Sequence, residues 1–236
     1  MPELSIVMPV FNEEKNVLLV AEKYAQIAKR LAIEVLFVED AGSTDNTRQQ
    51  IVKLSKKYKF ITPVLISQRG YGSSVYSGLK IAKGSFLAWT HADLQTDPAD
   101  VERAYTLLKQ AKNPATTYVK GRRYGRPLFD KVFTWGMNIF ETLILRTPLY
   151  EINAQPNVFH RSFLTLLKQP PQDFSFDLYA YYLAKKNNYA LKRFPVYFGK
   201  RIHGESKWNT GLKAKFKFIK RTLKFSFQLK KLLRQQ

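Results

Sequence analysis

The sequence predicts an α/β fold, one domain built on a mostly parallel central sheet flanked by helices. Three apolar runs carry the prediction: Leu4–Val10, residues 33–38 and Phe86–Trp89 are short, rich in Val, Ile, Leu and Phe, and apolar on both faces. Helical patterns separate them, which implies right-handed crossovers between parallel strands. Each run also ends in acidic or amide residues: Asn12 and Glu13, Glu39 and Asp40, Asp93 and Gln95. Ligands of open α/β sheets bind where the carboxyl ends of such strands converge on one crevice.

The order of elements follows from periodicity and punctuation. Leu4–Val10 contains Pro9 and gives way to a helix with Val17, Leu18, Ala21, Tyr24 and Ala25 at helical spacing. The run at 33–38 ends in a turn cluster, from which a helix capped by Ser43, Thr44 or Asp45 is expected. Residues 64–67 form a short strand candidate, and the segment carrying Gly70, Gly72 and Gly78 becomes helical by Leu79. Phe86–Trp89 leads into His91, Asp93 and Gln95, whose alternate spacing places one imidazole, one carboxylate and one amide on the same side of an extended chain. Such a set could share a divalent cation that holds a diphosphate, whereas Asp97-Pro98 with Asp100 and Glu102 reads as an ordinary helix start. Beyond Pro114 we expect a strand at 116–119, a basic loop from Gly121 and a helix through Phe133, Met137, Ile139 and Phe140. Loop and strand at 152–161, a helix at 177–184 and a last strand at 190–196 complete the domain, with no internal repeat.

The 236 residues and 45% hydrophobic content suit one sizeable folded domain, and the absence of cysteine excludes disulfides, thiolate metal sites and cysteine nucleophiles. The first residues lack a signal-peptide pattern, and no apolar run is long enough to cross a bilayer, so a soluble or peripheral protein is expected. A formal net charge of +21 calls for anionic partners, and from Leu191 onward Glu205 is the only acidic residue. Residues 209–234 place Leu212, Phe216, Ile219, Leu223 and Phe227 along one helical face, with Lys213, Lys215, Lys217, Lys220, Arg221, Lys224 and Lys230 around it. This pattern fits a helix lying on an anionic membrane surface, or one packed against the domain or a partner.

Four segments, PVFNEEKN from Pro9, VEDAGSTDNT from Val38, HADLQTDP from His91 and RIHGESK from Arg201, resemble the signature blocks of family-2 glycosyltransferases of the Rossmann-like GT-A fold. The nearest branch is the dolichyl-phosphate mannose synthase-like group, which transfers sugars from nucleotide donors to polyprenyl phosphates. The resemblance implies a catalytic domain over residues 1–208 and a C-terminal basic helix over 209–236. It implies that Pro9, Phe11, Glu13 and Asp40 surround the donor base and ribose, with Gly70, Gly72 and Gly78 beneath the nucleotide. Asp93 and Gln95 match metal ligands, with His91 where the family usually has its first Asp; Mn or Mg is the implied cofactor, and imidazole favours Mn. Arg201, Ser206 and Lys207 match a loop that closes over the donor phosphates.

The chain departs from the family pattern elsewhere. Ala41 is an extra residue behind Glu39 and Asp40, Gln68 replaces a common Asn, and residues 153–157, NAQPN, occupy the place of a TSGF-like acceptor segment. For an inverting transfer a lipid phosphate needs no strong base, whereas a sugar hydroxyl needs a carboxylate, for which Asp177 is the candidate; a helix-start carboxylate is the other reading of Asp177 and the same reading applies to Asp173. Arg122, Arg123 and Arg126 are candidates for an anionic acceptor. The leading expectation is therefore an inverting, metal-assisted transferase acting on a UDP- or GDP-linked sugar at the inner membrane face, with a polyprenyl phosphate or lipid-linked glycan as acceptor. A degenerate homologue that binds nucleotide without turnover is the alternative. Nucleic-acid binding would need exposed aromatics or a groove-reading helix, neither of which the basic residues accompany.

Overall fold

The computed structural model describes residues 1–203 and 212–233. Seven strands form one sheet in the order β3-β2-β1-β4-β6-β5-β7. Here β1 is Leu4–Val10, β2 Ile33–Glu39, β3 Ile61–Leu65, β4 Phe86–Trp89, β5 Thr117–Tyr124, β6 Asn157–His160 and β7 Ala190–Tyr197. Strands β1 to β4 pair in parallel, β6 runs antiparallel to both its neighbours, and β5 pairs in parallel with β7. The expected mostly parallel α/β sheet is therefore present. The helices are α1 (Asn16–Ala28), α2 (Thr47–Lys57), α3 (Tyr71–Ile81), α4 (Ala99–Lys109), α5 (Leu128–Leu145), α6 (Ser175–Lys186) and α7 (Leu212–Leu233).

Burial explains the strand sequences. Along β1, Leu4, Ile6 and Met8 enter the core layer that holds Val17, Val20 and Tyr24 of α1, while Val7 enters the opposite layer with Leu79 of α3 and Phe176 of α6. A strand covered on both faces has no solvent side, so the alternation of an exposed sheet is replaced by a continuous apolar run. From β1 the chain moves outward through β2 and β3, then returns to the other side of β1 as β4. That reversal opens a crevice between the loops following β1 and β4.

One local expectation is corrected and two are made more definite. Arg122 and Arg123 lie within β5, because pairing with β7 extends the strand through Tyr124 and leaves no loop at Gly121. Helix α3 begins at Tyr71, eight residues ahead of Leu79, as Gly70 turns the chain with φ 128°. The helix after β2 begins at Thr47, and neither Ser43 nor Thr44 caps it. Those hydroxyls instead accept from the backbone and side chain of Asn12, while Asp45, the third expected residue, accepts from Thr47 N–H at 3.0 Å at the start of the helix.

Helix α7 packs on α5 and α6. Leu229 and Ser226 are buried, Ser226 donates to the buried Glu141 of α5, and Phe225 meets Tyr179. Ile219 and Leu223, on the face expected to meet either a membrane or the domain, line a cavity of about 310 Å³ with Val132, Met137 and Phe140 of α5. Phe227 is 58% exposed. The side chains of Leu212, Lys213, Lys215, Phe216, Lys217 and Arg221 lie outside the described residues. The exposed apolar stripe that the structure does show is on α5: Leu128, Val132, Trp135, Ile139 and Leu143 are 75, 59, 66, 41 and 71% exposed.

Candidate active site

The crevice is framed by loops following β1, β2 and β4, and all three contain a non-glycine residue with positive φ: Asn12 at 54°, Ala41 at 56° and Leu94 at 56°. Left-handed conformations of this kind disfavour Cβ-bearing residues and persist where surrounding contacts over-determine them. The contacts are visible for the first two loops. Thr44 N–H donates to Asn12 Oδ1 at 2.8 Å, Glu13 N–H to Thr47 Oγ1 at 2.8 Å and Glu14 N–H to Asp45 Oδ2 at 3.2 Å. The blocks read separately from sequence are thus one hydrogen-bonded unit.

Asp93 is 3% exposed; its carboxylate accepts from the N–H of Gln95 and sits 2.9 Å from the Arg201 guanidinium. Arg201 also lies 3.5 Å from Glu13 and donates Nε–H to Gln95 Oε1 at 3.4 Å. Gln95 is oriented by donating its amide to Gly199 O at 3.0 Å, which turns its oxygen toward Arg201. Burial raises the Glu13 carboxyl above the usual range, and Asn16 and Arg201 oppose that shift. The cluster therefore holds two carboxylates and an amide oxygen around one internal cation.

Asp40 has a different environment. Its Oδ2 accepts from Gly70 N–H at 3.0 Å, while its Oδ1 is buried with no hydrogen-bond partner. A Cβ built on Gly42 would lie 2.8 Å from the Phe11 ring and 3.0 Å from Asp40 Oδ1, so ring and carboxylate flank the same small residue. An uncompensated buried acceptor beside an aromatic ring is the pairing a nucleobase N–H and base face would satisfy. Pro9 lies on β1 at the register of Val38, half-buried behind this pair.

Other residues named from sequence fall in different surroundings. The imidazole of His91 tilts against the Tyr71 ring at 5.8 Å, and among the described residues no three His, Cys, Asp or Glu side chains group closely enough to hold a metal ion. Asp93 and Gln95 do converge, and one carboxylate plus an amide oxygen suits a magnesium-like cation that takes its remaining ligands from phosphate and water. Gly70 and Gly72 face protein: a Cβ on Gly70 would stand 2.3 Å from Gln172 O, and one on Gly72 2.1 Å from Pro171 O. They let the segment at 171–173 seat on the first turn of α3, and a Cβ on Gly78 would likewise stand 2.5 Å from the Val7 side chain of β1. Gly72→Ala should destabilise the fold by about 1–3 kcal/mol through overpacking. Calorimetric melting should show a loss of about 2–4 °C per kcal/mol. Gly136→Ala, where a Cβ meets nothing within 4 Å, should show none.

Asp177 is 2% exposed, and its oxygens accept from Trp89 Nε1–H at 2.8 Å, Tyr71 OH at 3.3 Å and Gln155 Nε2–H at 3.3 Å. A substrate hydroxyl could reach it only after Tyr71 or Gln155 moved, which departs from the expectation of an open general base. Asp173 accepts from Ser175 N–H at 2.9 Å, as a helix-start carboxylate does. Arg123 and Arg126 both bind Glu151 at 2.7 Å and hold its carboxyl below the usual range despite burial; Arg122 is exposed. Ser206 and Lys207 lie outside the described residues. The sequence reading passed over Tyr71, Lys120 and Glu141; a lysine inside an apolar strand and a glutamate on the inner face of an apolar helix were the available signals.

Crevice and sheet define a class, the GT-A fold of glycosyltransferases. The glucosyl-3-phosphoglycerate synthase of Mycobacterium tuberculosis, solved with Mn2+, UDP and phosphoglyceric acid, superposes with a TM-score of 0.74 at 15% identity, covering 97% of this chain and 78% of that one. A mannosyltransferase of Pyrobaculum calidifontis, solved with GDP-Man and Mn2+, gives 0.61 at 22% identity over 87% of this chain and 58% of that one. The family model for glycosyl transferase family 2 matches residues 5–164, and the chain belongs to that family. Among curated relatives, the dodecaprenyl-phosphate galacturonate synthase of Rhizobium johnstonii is 25% identical over 170 residues, 70% of this chain and 50% of its own length. The undecaprenyl-phosphate 4-deoxy-4-formamido-L-arabinose transferase of Photorhabdus laumondii is 26% identical over 111 residues, 46% of this chain and 34% of its own length. The chain thus spans between a third and a half of the length of these relatives.

Proposed function

We propose that the protein transfers a sugar from a nucleoside diphosphate donor to a polyprenyl phosphate with inversion at the anomeric carbon, working on an anionic bilayer surface. The observation that carries this reading is the gathering of Asp93, Glu13 and Gln95 around Arg201 at the mouth of parallel strands, beside the unpartnered Asp40 oxygen. Asp40 and Phe11 take the base. Asp93 and Gln95 would hold a divalent cation, which neutralises diphosphate charge when bound. Arg201 then moves from the carboxylates to the donor phosphates, where its charge stabilises the leaving group as the bond from the anomeric carbon to phosphate oxygen breaks. A phosphate oxygen of the acceptor forms the new bond from the opposite face. That oxygen is already ionised, so the enclosed position of Asp177 is no obstacle.

A lipid acceptor is favoured over a sugar hydroxyl by two features of α5. Its exposed stripe includes Trp135, 66% exposed, and the apolar cavity shared with α7 lies on the same helix. Lys220, Lys224 and Lys231 are exposed on α7, and no described helix is long and apolar enough to cross a membrane. Exposed aromatics with surrounding lysines suit the boundary between headgroups and chains. Arg122, with the net positive group of Arg123, Arg126 and Glu151, is the proposed contact for the acceptor phosphate. Incubation with UDP- or GDP-sugars, Mn and undecaprenyl phosphate in vesicles should yield lipid-linked sugar when anionic lipid is present, with yield falling as salt rises. Trp135→Ser should weaken vesicle binding several-fold and leave nucleotide binding unchanged. Equal binding to neutral and anionic vesicles would refute the membrane role, and product on a soluble sugar alone would refute the lipid acceptor.

A further inference from the structure

A fully buried ammonium lies beneath the crevice. Lys120 of β5 is 0% exposed and donates to Ala154 O at 2.7 Å and Asn157 Oδ1 at 2.8 Å. Asn157 Nδ2–H donates to Gln155 Oε1 at 2.7 Å, and Gln155 Nε2–H reaches Tyr71 OH at 3.1 Å and the Asp177 carboxylate at 3.3 Å. An ammonium has no acceptor, so Asn157 must turn its oxygen toward Lys120 and its nitrogen away; Gln155 must then do the same. One unbroken series of donors thus runs from the cation through Asn157 and Gln155 to Asp177. Tyr71, at the far end, stacks on Phe174 at 4.7 Å and meets His91 at 5.8 Å, joining the buried chain to the crevice wall.

The fold does not need this charge to satisfy its hydrogen bonds. Ala154 O also accepts from Asn157 Nδ2–H at 3.3 Å, and Asn157 Oδ1 from Tyr118 OH at 3.1 Å. A buried cation of this kind is costly, and an apolar side chain of similar volume is commonly tolerated in its place. We propose that Lys120 is a positioning residue: through Asn157 and Gln155 its ammonium locks Asp177 and, with it, Tyr71, whose ring lies against His91 at the crevice wall, and the wall keeps its working shape only while that ammonium is charged. The proposal rests on reading the crevice as the transfer site.

The groups facing Lys120 pull in both directions. Burial is the largest influence and brings its pKa from 10.5 down to about 7. Asp177 of α6 and Glu151 favour the charged form, while Arg193 of β7 and Arg123 of its own strand oppose it. The ring of Tyr181 lies 5.7 Å from Nζ, and Tyr118, raised well above its ordinary value by burial, stays neutral.

The test uses transfer activity and a probe independent of it, because Trp89 Nε1–H binds Asp177 and its indole resonance reports on that carboxylate. In the wild type, turnover should fall about tenfold per pH unit above a midpoint near 7, and the Trp89 indole signal should move with the same midpoint. In Lys120→Met the indole titration should vanish, and turnover at neutral pH should fall about 10- to 100-fold with donor KM within about twofold. Asn157→Asp, which keeps the Lys120 partner but removes the donor to Gln155, should raise the midpoint and still lose turnover. An indole titration that persists in Lys120→Met, or full turnover in that variant, overturns the proposal. If no donor supports transfer even in the wild type, the proposed reaction fails, and the indole titration alone decides the role of Lys120.

Discussion

Asp93→Asn should lower sugar transfer by about two to three orders of magnitude, the loss expected when one electrostatic contact to a developing leaving group, here the cation that Asp93 would hold, is removed. Asparagine has nearly the same size and keeps an oxygen that can accept from Gln95 N–H, so the loop following β4 should hold its course, while the oxygen that pairs with Arg201 is replaced by a donor. What disappears is the negative charge that can hold a divalent cation against the donor diphosphate. Calorimetric titration of UDP and GDP with Mn should therefore show metal-dependent binding in the wild type and metal-independent, weaker binding in the variant. Asp40→Ala should behave differently, weakening nucleotide binding whether or not Mn is present, because Asp40 is the proposed contact to the base. Unchanged turnover in a folded Asp93→Asn protein would remove the crevice from the reaction.

The second large effect concerns the docking of α7 rather than catalysis. Glu141 is 0% exposed, one carboxyl oxygen has no hydrogen-bond partner, and burial raises its pKa from 4.5 to about 7, partly offset by the Ser226 hydroxyl. A folded-state value above the unfolded one means that the native protein holds the proton more tightly. Its contribution is complete below about pH 4.5 and is lost as pH rises to about 7, where the carboxylate ionises inside the helix pair. The difference corresponds to about 3 kcal/mol at most. The protection factors of the α7 amides, their exchange relative to unstructured chain at the same pH, should accordingly fall between pH 5 and pH 8. Glu141→Gln, neutral throughout and still able to accept from Ser226, should remove that pH dependence. Parallel pH profiles for the two proteins would show that the Glu141–Ser226 contact does not govern α7.

Much of the architecture was readable because it follows from backbone pairing and burial. Leu4–Val10 and residues 33–38 could only be strands covered on both faces, and a β-α alternation leaves few topologies. The polar endings of three runs likewise pointed to the crevice, since parallel strands bring their carboxyl ends to one edge of the sheet. The reading failed where the partner of a residue lay far along the chain. Gly70 and Gly72 carried a pattern consistent with a nucleotide loop, yet it is Pro171 and Gln172 that press against them. Arg123 and Arg126 looked like open cations until Glu151 folded between them. Asp177 looked like a free helix-start acid, but Trp89, Tyr71 and Gln155 converge on it from three other segments.

The sequence alone determined the class of fold, the edge of the sheet where the crevice opens and the family blocks that line it, because these depend on apolar periodicity and chain direction, both local properties. Only the tertiary structure decided which charges are balanced and which remain available: Arg201 among Glu13, Asp93 and Gln95, one oxygen of Asp40 left bare, Lys120 sealed beneath the floor. The physical reason is that a side chain's charge state and reach depend on what excludes water from it, and those neighbours come from segments tens of residues away in the chain.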